Sequence, residues 1–330
     1  MDSLYMSIIV PCYNAEKTIE RCILSVLKQN HCKYELILVN DGSSDRTLEI
    51  CEKYHNFDSR VKLLSHKNRG VSFSRNQGLR VACGDFILFL DADDWIENGF
   101  LEKAFVELST NIDILYFGFN RVYADKIVYY STIKEILARY DNDRKEFNPY
   151  VTRINGVVWG KFYKKELLKD ILFNELLPIC EDADFNYRVL KKAKNLVYWN
   201  CCGYNYLYSN SSTLRRYSPD FIDKSAYALK TINAVIEFDL EKESFATLVC
   251  NVTSILVINN FFHRDNPYPF REKLARLKDW SNDSLVCRSI EIVDLETLSK
   301  QQKFIIKCIQ KNFYKSLGVL ALVYNWVKKG

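Results

Sequence analysis

Ten consecutive residues decide the fold of this chain: Phe86-Ile87-Leu88-Phe89-Leu90-Asp91-Ala92-Asp93-Asp94-Trp95. Five apolar residues in a row indicate a buried strand, so the three carboxylates that follow stand at its carboxyl end. Open α/β sheets bind ligands at that edge, and clustered carboxylates suit hard ions such as Mg²⁺ or Mn²⁺ better than Zn²⁺. The alternative interpretation is that Asp94 caps a helix that begins near Glu97, because acidic residues favour helix starts.

The composition is that of a globular protein with more than one structural part. With 330 residues, 48% hydrophobic and 26% charged, the chain has room for two modest domains or for one α/β domain with an appendage. Its 46 basic and 41 acidic residues are too evenly balanced to indicate a nucleic-acid-binding protein. Eleven cysteines without paired CxxC spacing predict free thiols. No leader of charged and then apolar residues precedes Ser7, so a cytoplasmic location is expected.

Apolar runs alternate with amphipathic segments through the first 110 residues. The runs that are predicted to be strands cover residues 6–10, 35–39, 61–64 and 86–90. The segments that are predicted to be helices cover residues 16–29, 47–54 and 71–82. This alternation predicts an α/β fold with a mostly parallel sheet flanked by helices on both faces.

Beyond residue 110 the alternation is less regular. Further strands are predicted over residues 112–119, 126–130 and 196–199, and further helices over residues 131–140, 164–170 and 180–193. After Pro219 the periodicity is helical, with apolar positions that repeat in residues 226–238, 245–262 and 270–277. The end of the chain is therefore expected to be a helical appendage.

Three polar sequences follow three of the predicted parallel strands. They are Pro11-Cys12-Tyr13-Asn14, Asn40-Asp41-Gly42-Ser43 and Asp91-Ala92-Asp93-Asp94. Because the carboxyl ends of parallel strands share one edge, the three loops are expected to converge on a single pocket. The alternatives are a tight turn for Asp41-Gly42 and a helix cap for Ser44 or Asp45.

Six motifs, in this order and spacing, resemble those of family 2 glycosyltransferases of the GT-A fold. They are Ser7-Ile8-Ile9-Val10-Pro11-Cys12-Tyr13-Asn14, Val39-Asn40-Asp41-Gly42-Ser43-Ser44-Asp45, Asn68-Arg69-Gly70 with Ser74-Arg75-Asn76, Gly84 leading to Phe89-Leu90-Asp91-Ala92-Asp93-Asp94, Trp159-Gly160-Lys161-Phe162-Tyr163 and Glu181-Asp182-Ala183-Asp184-Phe185. As a set the motifs are specific, although each alone is weak. The resemblance covers residues 6–215. It implies a GT-A (Rossmann-like) catalytic domain over residues 1–215, with a nucleotide-sugar half over about 1–110 and an acceptor half over about 111–215, and a helical region over 216–330.

The resemblance implies that the donor is a nucleotide-diphosphate sugar. Pro11 and Tyr13 then lie beside the base, Asp41 lies at its polar edge, and Arg75 lies nearby. An aromatic ring offers a stacking face and a carboxylate accepts the imide proton of uracil, which favours UDP as the carrier. The other substrate contacts that the resemblance implies come from Asp91 at the ribose, Asp94 at the sugar, and Trp159 and Glu181.

The resemblance also implies a metal-dependent reaction with inversion. Asp93 matches the direct ligand of Mg²⁺ or Mn²⁺, with Asp91 beside it, whereas residues 204–212 contain no His to match the further ligand that family members often supply. The metal stabilises charge on the departing diphosphate, and Asp182 is the expected base for the acceptor hydroxyl. The alternative for Asp182 and its acidic neighbours is a helix start that interacts with the helix dipole.

Together these features favour a glycosyltransferase of cell-surface polysaccharide synthesis. It is expected to move one hexose or N-acetylhexosamine from UDP to a glycan or polyprenyl-linked acceptor, because the transmembrane helices and the Gln-x-x-Arg-Trp motif of processive synthases are absent. One alternative is an inactive sugar-nucleotide-binding module, which is expected to lack Asp93 or Asp182. Another is a sugar nucleotidyltransferase, which is expected to have a Gly-rich loop after the first strand, where this chain has none.

The segment 301–330 combines lysines with apolar residues. Its lysines are Lys303, Lys307, Lys311 and Lys315 at every fourth position, and then Lys328 and Lys329. With no acidic residue, the segment carries a charge of +6. One interpretation is a helix that lies on the inner face of the cytoplasmic membrane, where polyprenyl-linked acceptors are found. The alternative is a solvated lysine face on a helix that packs against the protein. The apolar run over 317–327 is too short to span a bilayer.

Overall fold

A computed structural model describes residues 4–30, 33–123, 126–130, 156–208, 217–237 and 239–327. The chain divides into two compact units. The first comprises Met1–Pro149, Ile154–Leu176 and Glu181–Tyr208, and the second comprises Tyr150–Arg153, Leu177–Cys180 and Ser209–Gly330. The helix that the sequence predicts over 131–140 lies outside the described residues.

The first unit begins with the predicted alternation of strands and helices. Its strands are β1 (Tyr5–Cys12), β2 (Lys33–Asp41), β3 (Val61–His66) and β4 (Phe86–Phe89), and its first helices are α1 (Ile19–Leu27), α2 (Thr47–Phe57) and α3 (Val71–Val81). The four strands are parallel and lie in the order β3-β2-β1-β4. The carboxyl ends of β1, β2 and β4 therefore meet at one edge, because Cys12 is opposite Asn40 and Ile9 is opposite Phe89.

The sheet continues beyond β4 with strands of both directions. These are β5 (Trp95–Ile96), β6 (Ile114–Val122), β7 (Ile127–Tyr130), β8 (Lys161–Lys164) and β9 (Leu196–Leu207), and the helices are α4 (Phe100–Glu107) and α5 (Glu181–Leu190). Antiparallel β8 joins β4 to β6, β6 and β9 are parallel, and β5 and β7 are antiparallel to β9 and β6. The mixed α/β fold with a mostly parallel first half is confirmed.

Two predictions in this half are corrected. The helix predicted over 164–170 is one 3₁₀ turn, Lys165–Leu168, because the N–H groups of Lys169 and Ile171 bond to the carbonyls of Glu166 and Leu168, each three residues back, and not to carbonyls four residues back. The strand predicted over 196–199 continues to Leu207 as β9. Its second half pairs with β6 after a register shift near Gly118. This half of β9 contains polar residues, so the search for apolar runs did not predict it as a strand.

The core explains why β4 is uniformly apolar. All four residues of β4 are buried, and α1 packs Ile19, Cys22, Ile23 and Val26 into the same hydrophobic cluster as the strands. Gly84 lies just before β4, where a Cβ atom would stand 2.5 Å from the backbone nitrogen of Ser7. A glycine is required there because the backbone of the β4 approach runs against β1.

The described part of the second unit is helical, as predicted for the appendage. Its helices are α6 (Phe221–Asn233), α7 (Asp239–Leu256) with a π-helical continuation Val257–Phe261, α8 (Phe270–Asn282), α9 (Ser284–Ile292), α10 (Lys300–Gln310) and α11 (Tyr314–Val327). The segment Glu241–Phe261 is long and apolar enough to cross a membrane, but most of it is buried in the protein, as in the core helix of a soluble domain. The ten described cysteines of the chain are all free, as predicted.

The lysine stripe predicted across residues 303–315 is wrong as a feature of one helix. α10 ends at Gln310, and Asn312 has a φ of 58°, a left-handed conformation that cannot continue the helix. Lys303 therefore lies on α10, where it pairs with Glu296, while Lys315 lies on α11.

Candidate functional site

Arg75 on α3 joins two groups of carboxylates that are far apart in the sequence. Its Nη1 lies 2.6 Å from Asp182 Oδ1 and 3.1 Å from Glu181 Oε1, and its Nη2 lies 3.3 Å from Asp91 Oδ1. The side chain is 5% exposed. Burial alone would lower the pKa of Arg75, but Asp182, Asp91 and Glu181 outweigh it and raise the pKa. The planar guanidinium thus bridges the loop after β4 and the start of α5.

Asp182 is held where its ionised form is disfavoured. Its side chain is 15% exposed, and Oδ2 accepts a hydrogen bond from the backbone N–H of Val158 at 3.2 Å. Burial raises the pKa of Asp182 to about 8, Arg75 opposes the rise, and the charges of Glu181 and Asp91 add to it. A carboxylate whose pKa lies near neutrality suits proton transfer at physiological pH.

The segment that contacts Asp182 is fixed by a buried lysine. Lys161 Nζ donates to the carbonyl of Val157 at 2.5 Å, and Asn186 Nδ2 donates to the same carbonyl at 2.8 Å. Burial lowers the pKa of Lys161, whereas the charge of Asp182 opposes that shift. Lys161 therefore helps to orient the N–H group of Val158 toward the carboxylate.

Asp94 is buried and its oxygens are occupied by the chain. Oδ2 accepts from the hydroxyl of Tyr204 at 2.6 Å and Oδ1 accepts from the N–H of Leu207 at 2.8 Å. The interpretation that Asp94 caps a helix is wrong, since α4 begins at Phe100 after Gly99. Asp94 instead ties the loop after β4 to β9, and burial with the charges of its neighbours raises its pKa well above the ordinary value.

Asp91 and Asp93 are the carboxylates of this cluster available to a divalent cation. Asp93 is exposed, but partial desolvation and the charge of Asp91 raise the pKa of its carboxyl, so an added positive charge would stabilise its ionised form. Over the described ranges, no group of three His, Cys, Asp or Glu side chains gathers into a metal site. Mg²⁺ is commonly held by one or two carboxylates together with substrate phosphates and waters, and this donor set fits such an ion.

The loops after β1 and β2 are hydrogen-bonded to each other, so these two loops converge as expected. The N–H of Ser44 donates to Asn14 Oδ1 at 2.8 Å, and the N–H of Asn14 donates to Ser43 Oγ at 3.1 Å. Asp45 accepts from the N–H and the hydroxyl of Thr47, the first residue of α2. The N-cap position itself is Arg46, so the interpretation of Ser44 or Asp45 as the helix cap is wrong by one or two residues. The ring of Tyr13 remains half exposed beside these loops.

Asp41 holds the chain that leads into α3. Its Oδ1 accepts from the N–H of Arg69 at 2.7 Å, and its Oδ2 accepts from the N–H of Gly70 at 2.9 Å. Gly42 has a φ of 67°, a left-handed conformation, and a Cβ there would lie 2.6 Å from the backbone nitrogen of Asn68. Asp41 therefore fixes the loop whose helix presents Arg75.

Trp159 belongs to an aromatic stack next to the acidic cluster. Its ring is nearly parallel to those of Tyr204 and Tyr206, with centroids 5.1 and 5.3 Å away. Because Tyr204 also donates to Asp94, the stack supports that carboxylate. The sequence analysis missed Tyr204. The only signal for it was a run of tyrosines in β9, which by itself resembles ordinary core.

A cavity of about 1030 Å³ lies away from all of these residues. It is lined among others by Leu4, Asp85 and Phe86, which precede or begin β1 and β4, and by Lys165 and Lys169. These residues stand at the edge of the sheet where the parallel strands β1 and β4 begin, whereas ligands of α/β sheets bind at the carboxyl ends of the parallel strands. The polar cluster around Arg75, rather than the large cavity, is therefore the candidate active site.

The known proteins to which the chain is similar are glycosyltransferases. Residues 7–172 match the family model described as Glycosyl transferase family 2. The chain is 34% identical over 197 residues to an uncharacterized glycosyltransferase, EpsJ, of Bacillus subtilis, covering 58% of this chain and 57% of the relative. It is 30% identical over 251 residues to the glycosyltransferase GlyA of Streptococcus pneumoniae, covering 72% of this chain and 36% of the relative. It thus spans only about half, or less, of these proteins.

A third relative has been solved with a ligand. The chain is 30% identical over 298 residues to the poly(ribitol-phosphate) β-N-acetylglucosaminyltransferase TarS of Staphylococcus aureus, covering 84% of this chain and 48% of the relative. The crystal structure of residues 1–349 of TarS in complex with UDP-GlcNAc superposes with a TM-score of 0.67 at 22% identity, covering 98% of this chain and 92% of that one. The superposition shows that the two chains share a fold.

Proposed function

The chain belongs to glycosyl transferase family 2, and from this premise we propose that it transfers one sugar from a UDP-sugar, with inversion, to a hydroxyl of a glycan or lipid-linked acceptor of a bacterial polysaccharide. The observation that carries the proposal is the bridge by Arg75 between Asp91 and Asp182 at the ligand-binding edge of the sheet. Arg75 thus contacts both Asp91, the carboxylate on the proposed donor side, and Asp182, the carboxylate proposed to accept the proton.

The donor nucleotide lies, in this proposal, over the loops after β1 and β2. Tyr13 offers an exposed ring for stacking beside Pro11, and Asp41 stands at the end of the neighbouring strand. The use of UDP is supported by the ligand of the TarS structure. The proposal includes both hexose and N-acetylhexosamine donors, because the two share the same nucleotide and differ only in the sugar.

Asp93 and Asp91 are proposed to hold Mg²⁺ or Mn²⁺ against the diphosphate. Asp91, Asp93 and Glu181 lie at this edge beside Asp94 and Asp182, whose pKa values are raised, whereas Arg75 pairs with Asp91, Glu181 and Asp182, and Arg21 Nη2 donates to the backbone carbonyl of Asp93. A diphosphate adds further negative charge, so a divalent cation is needed to balance the site. When bound, the ion supplies Lewis-acid stabilisation of the leaving group.

Asp182 is proposed as the base that accepts the proton of the acceptor hydroxyl. Its contacts with Arg75 and Val158 fix the carboxylate, and its raised pKa gives it enough basicity to take a proton. Glu181 shares Arg75 and helps to keep that side chain in place. A single base opposite the leaving group leads to direct displacement with inversion. Asp94 and Trp159 are proposed to support the sugar site through Tyr204.

A screen of nucleotide sugars with Mn²⁺ or Mg²⁺ tests the proposal through the release of nucleotide in the presence of acceptor mixtures. UDP-sugars are expected to be turned over by the wild-type protein, and Asp182→Asn is expected to bind the same donor without transferring it. Asp170→Asn removes one exposed carboxylate from the same unit and serves as the control. Donor binding without transfer by the wild-type protein would favour the inactive binding module instead.

A further inference from the structure

Helix α11 is apolar on two opposite faces, and one of them is exposed. Its inner face is packed: Leu317 and Ala321 are buried, and a Cβ at Gly318 would stand 2.7 Å from the ring of Phe262. Asn325 Nδ2 donates to the carbonyls of Ile258 and Phe262, at 2.8 and 3.0 Å. At 3.6 residues per turn the other face carries one group of side chains, each about half exposed or more: Val319, Leu320, Val323 and Trp326.

The surroundings of this exposed face are basic. Lys311 and Lys315 are exposed at the amino end of α11, and Lys328 and Lys329 follow it in the sequence. No acidic residue occurs from residue 301 to residue 330. At a membrane surface, apolar side chains enter the boundary between headgroups and acyl chains, while long cationic side chains reach the headgroups. An exposed apolar face with lysines before and after it in the sequence provides both kinds of side chain.

We propose that the outer face of α11 rests on an anionic lipid surface, with its apolar side chains at the level of the acyl chains and with Lys311 and Lys315 at the phosphates. The helix has 14 residues and is therefore about 21 Å long, which is shorter than the roughly 30 Å of a bilayer core. It lies in the plane of the surface. The buried inner face anchors it to the rest of the second unit.

The charge of the segment distinguishes a lipid surface from a second copy of the chain. A two-fold interface places the same patch of both copies together, so it would bring two segments of +6 against each other. Like charges at such an interface oppose association. An anionic surface neutralises the same lysines, and each basic residue near it strengthens binding.

The proposal does not depend on catalysis, since binding to lipid is measured with no donor present. The experiment is flotation of the full chain with phosphatidylcholine vesicles and with vesicles in which roughly one third of the lipid is phosphatidylglycerol, near 0.1 M salt. The wild-type chain is expected to float with the anionic vesicles. Leu320→Glu with Val323→Glu is expected to lower the partition coefficient at least tenfold.

A matched control tests whether two added glutamates act through α11. Phe57 and Val106 are 82% and 84% exposed in the first unit, and Phe57→Glu with Val106→Glu changes the net charge by the same amount. This control is expected to float like the wild type. Circular dichroism of both variants checks folding. Trp326→Phe retains the apolar face and is expected to remove the blue shift of tryptophan emission that the wild type shows on adding vesicles.

Three results would overturn the proposal. Equal flotation of the α11 variant and the wild type would show that this face does not contact lipid. Equal binding to neutral and anionic vesicles would remove the role of the lysines. A wild-type dimer in light scattering that the α11 variant dissociates, with no flotation, would assign the face to a second copy of the chain.

Discussion

Replacing Asp182 by Asn is expected to abolish transfer and, at alkaline pH, to stabilise the fold. The carboxylate is fixed by Arg75 and by the N–H of Val158 in a largely buried position. A catalytic base that is desolvated before substrate arrives costs folding free energy, and the neutral amide avoids that cost while preserving the shape of the side chain. Activity and stability are therefore expected to change in opposite directions.

The magnitude follows from the pKa of Asp182, which rises from an ordinary value of 3.8 to about 8 in the folded chain. A carboxyl group with a raised pKa contributes stability that is fully present below pH 3.8 and is lost as the pH rises to about 8. At 1.36 kcal/mol per pH unit, the loss approaches about 6 kcal/mol above pH 8. This pKa already includes the opposing effect of Arg75, so the figure is the net cost of ionising Asp182 in the folded chain. Asp182→Asn is thus expected to be several kcal/mol more stable than the wild type at pH 9 and no more stable than the wild type near pH 4.

Urea unfolding of the wild type, Asp182→Asn and Asp170→Asn at pH 4, 7 and 9 measures these differences. The exposed carboxylate of Asp170 is the control, for which no pH-dependent change is expected. The kcat/KM of the wild type is expected to rise with pH toward about 8, as the base loses its proton. If Asp182→Asn is destabilised by several kcal/mol at every pH, the carboxylate serves Arg75 as a structural partner and the reasoning is refuted. Full transfer by this variant would remove Asp182 as the base.

Three further predictions concern the neighbours of Asp182. Arg75→Met is expected to lower the free energy of unfolding by about 3–5 kcal/mol, because it leaves three carboxylates without their shared cation, whereas Arg75→Lys is expected to restore part of this loss in the same urea titration. Removing Mn²⁺ with a chelator is expected to weaken the binding of UDP at least tenfold in calorimetry and to leave that of uridine unchanged, since only the diphosphate meets the excess negative charge; Asp93→Asn is expected to reduce the effect of the metal. Tyr204→Phe is expected to cost about 1–3 kcal/mol of stability, because buried Asp94 loses a hydrogen-bond donor, and an unchanged urea midpoint would contradict this.

The sequence predicted the features that depend on local pattern. Runs such as residues 86–90 predicted strands, and the alternation of strands with helices predicted the parallel first half of the sheet. The meeting of three loops at one edge then followed from strand direction alone. Helix ends that depend on one backbone angle could not be predicted in this way. Asn312 ends α10 through a left-handed conformation, although the spacing of lysines around it is helical.

The contacts that organise the site link residues far apart in the sequence, and the motifs did not reveal them. Arg75 is 16 residues from Asp91 and 107 from Asp182, and Asp94 is 110 residues from Tyr204. Each of these residues belongs to a motif or to a run of tyrosines, but sequence periodicity does not indicate which of them contact each other. The resemblance assigned Arg75 to the nucleotide, whereas the geometry makes it a partner of both carboxylate groups.

Arg75 is shared between Asp91 and Asp182, and this links the two sides of the proposed site. The two nitrogens that contact Asp91 and Asp182 belong to one rigid guanidinium plane, so a shift of the Arg75 side chain changes both contacts at once. Any change in charge near Asp91 therefore alters the electrostatic potential at Asp182, whose pKa already depends on Asp91 as well as on burial. Positive charge that arrives with a donor lowers the pKa of Asp182, and a loss of negative charge at Asp91 does the same. In the proposed reaction the donor side and the proton-accepting side are therefore coupled through one buried arginine, and donor binding is expected to change the protonation of Asp182.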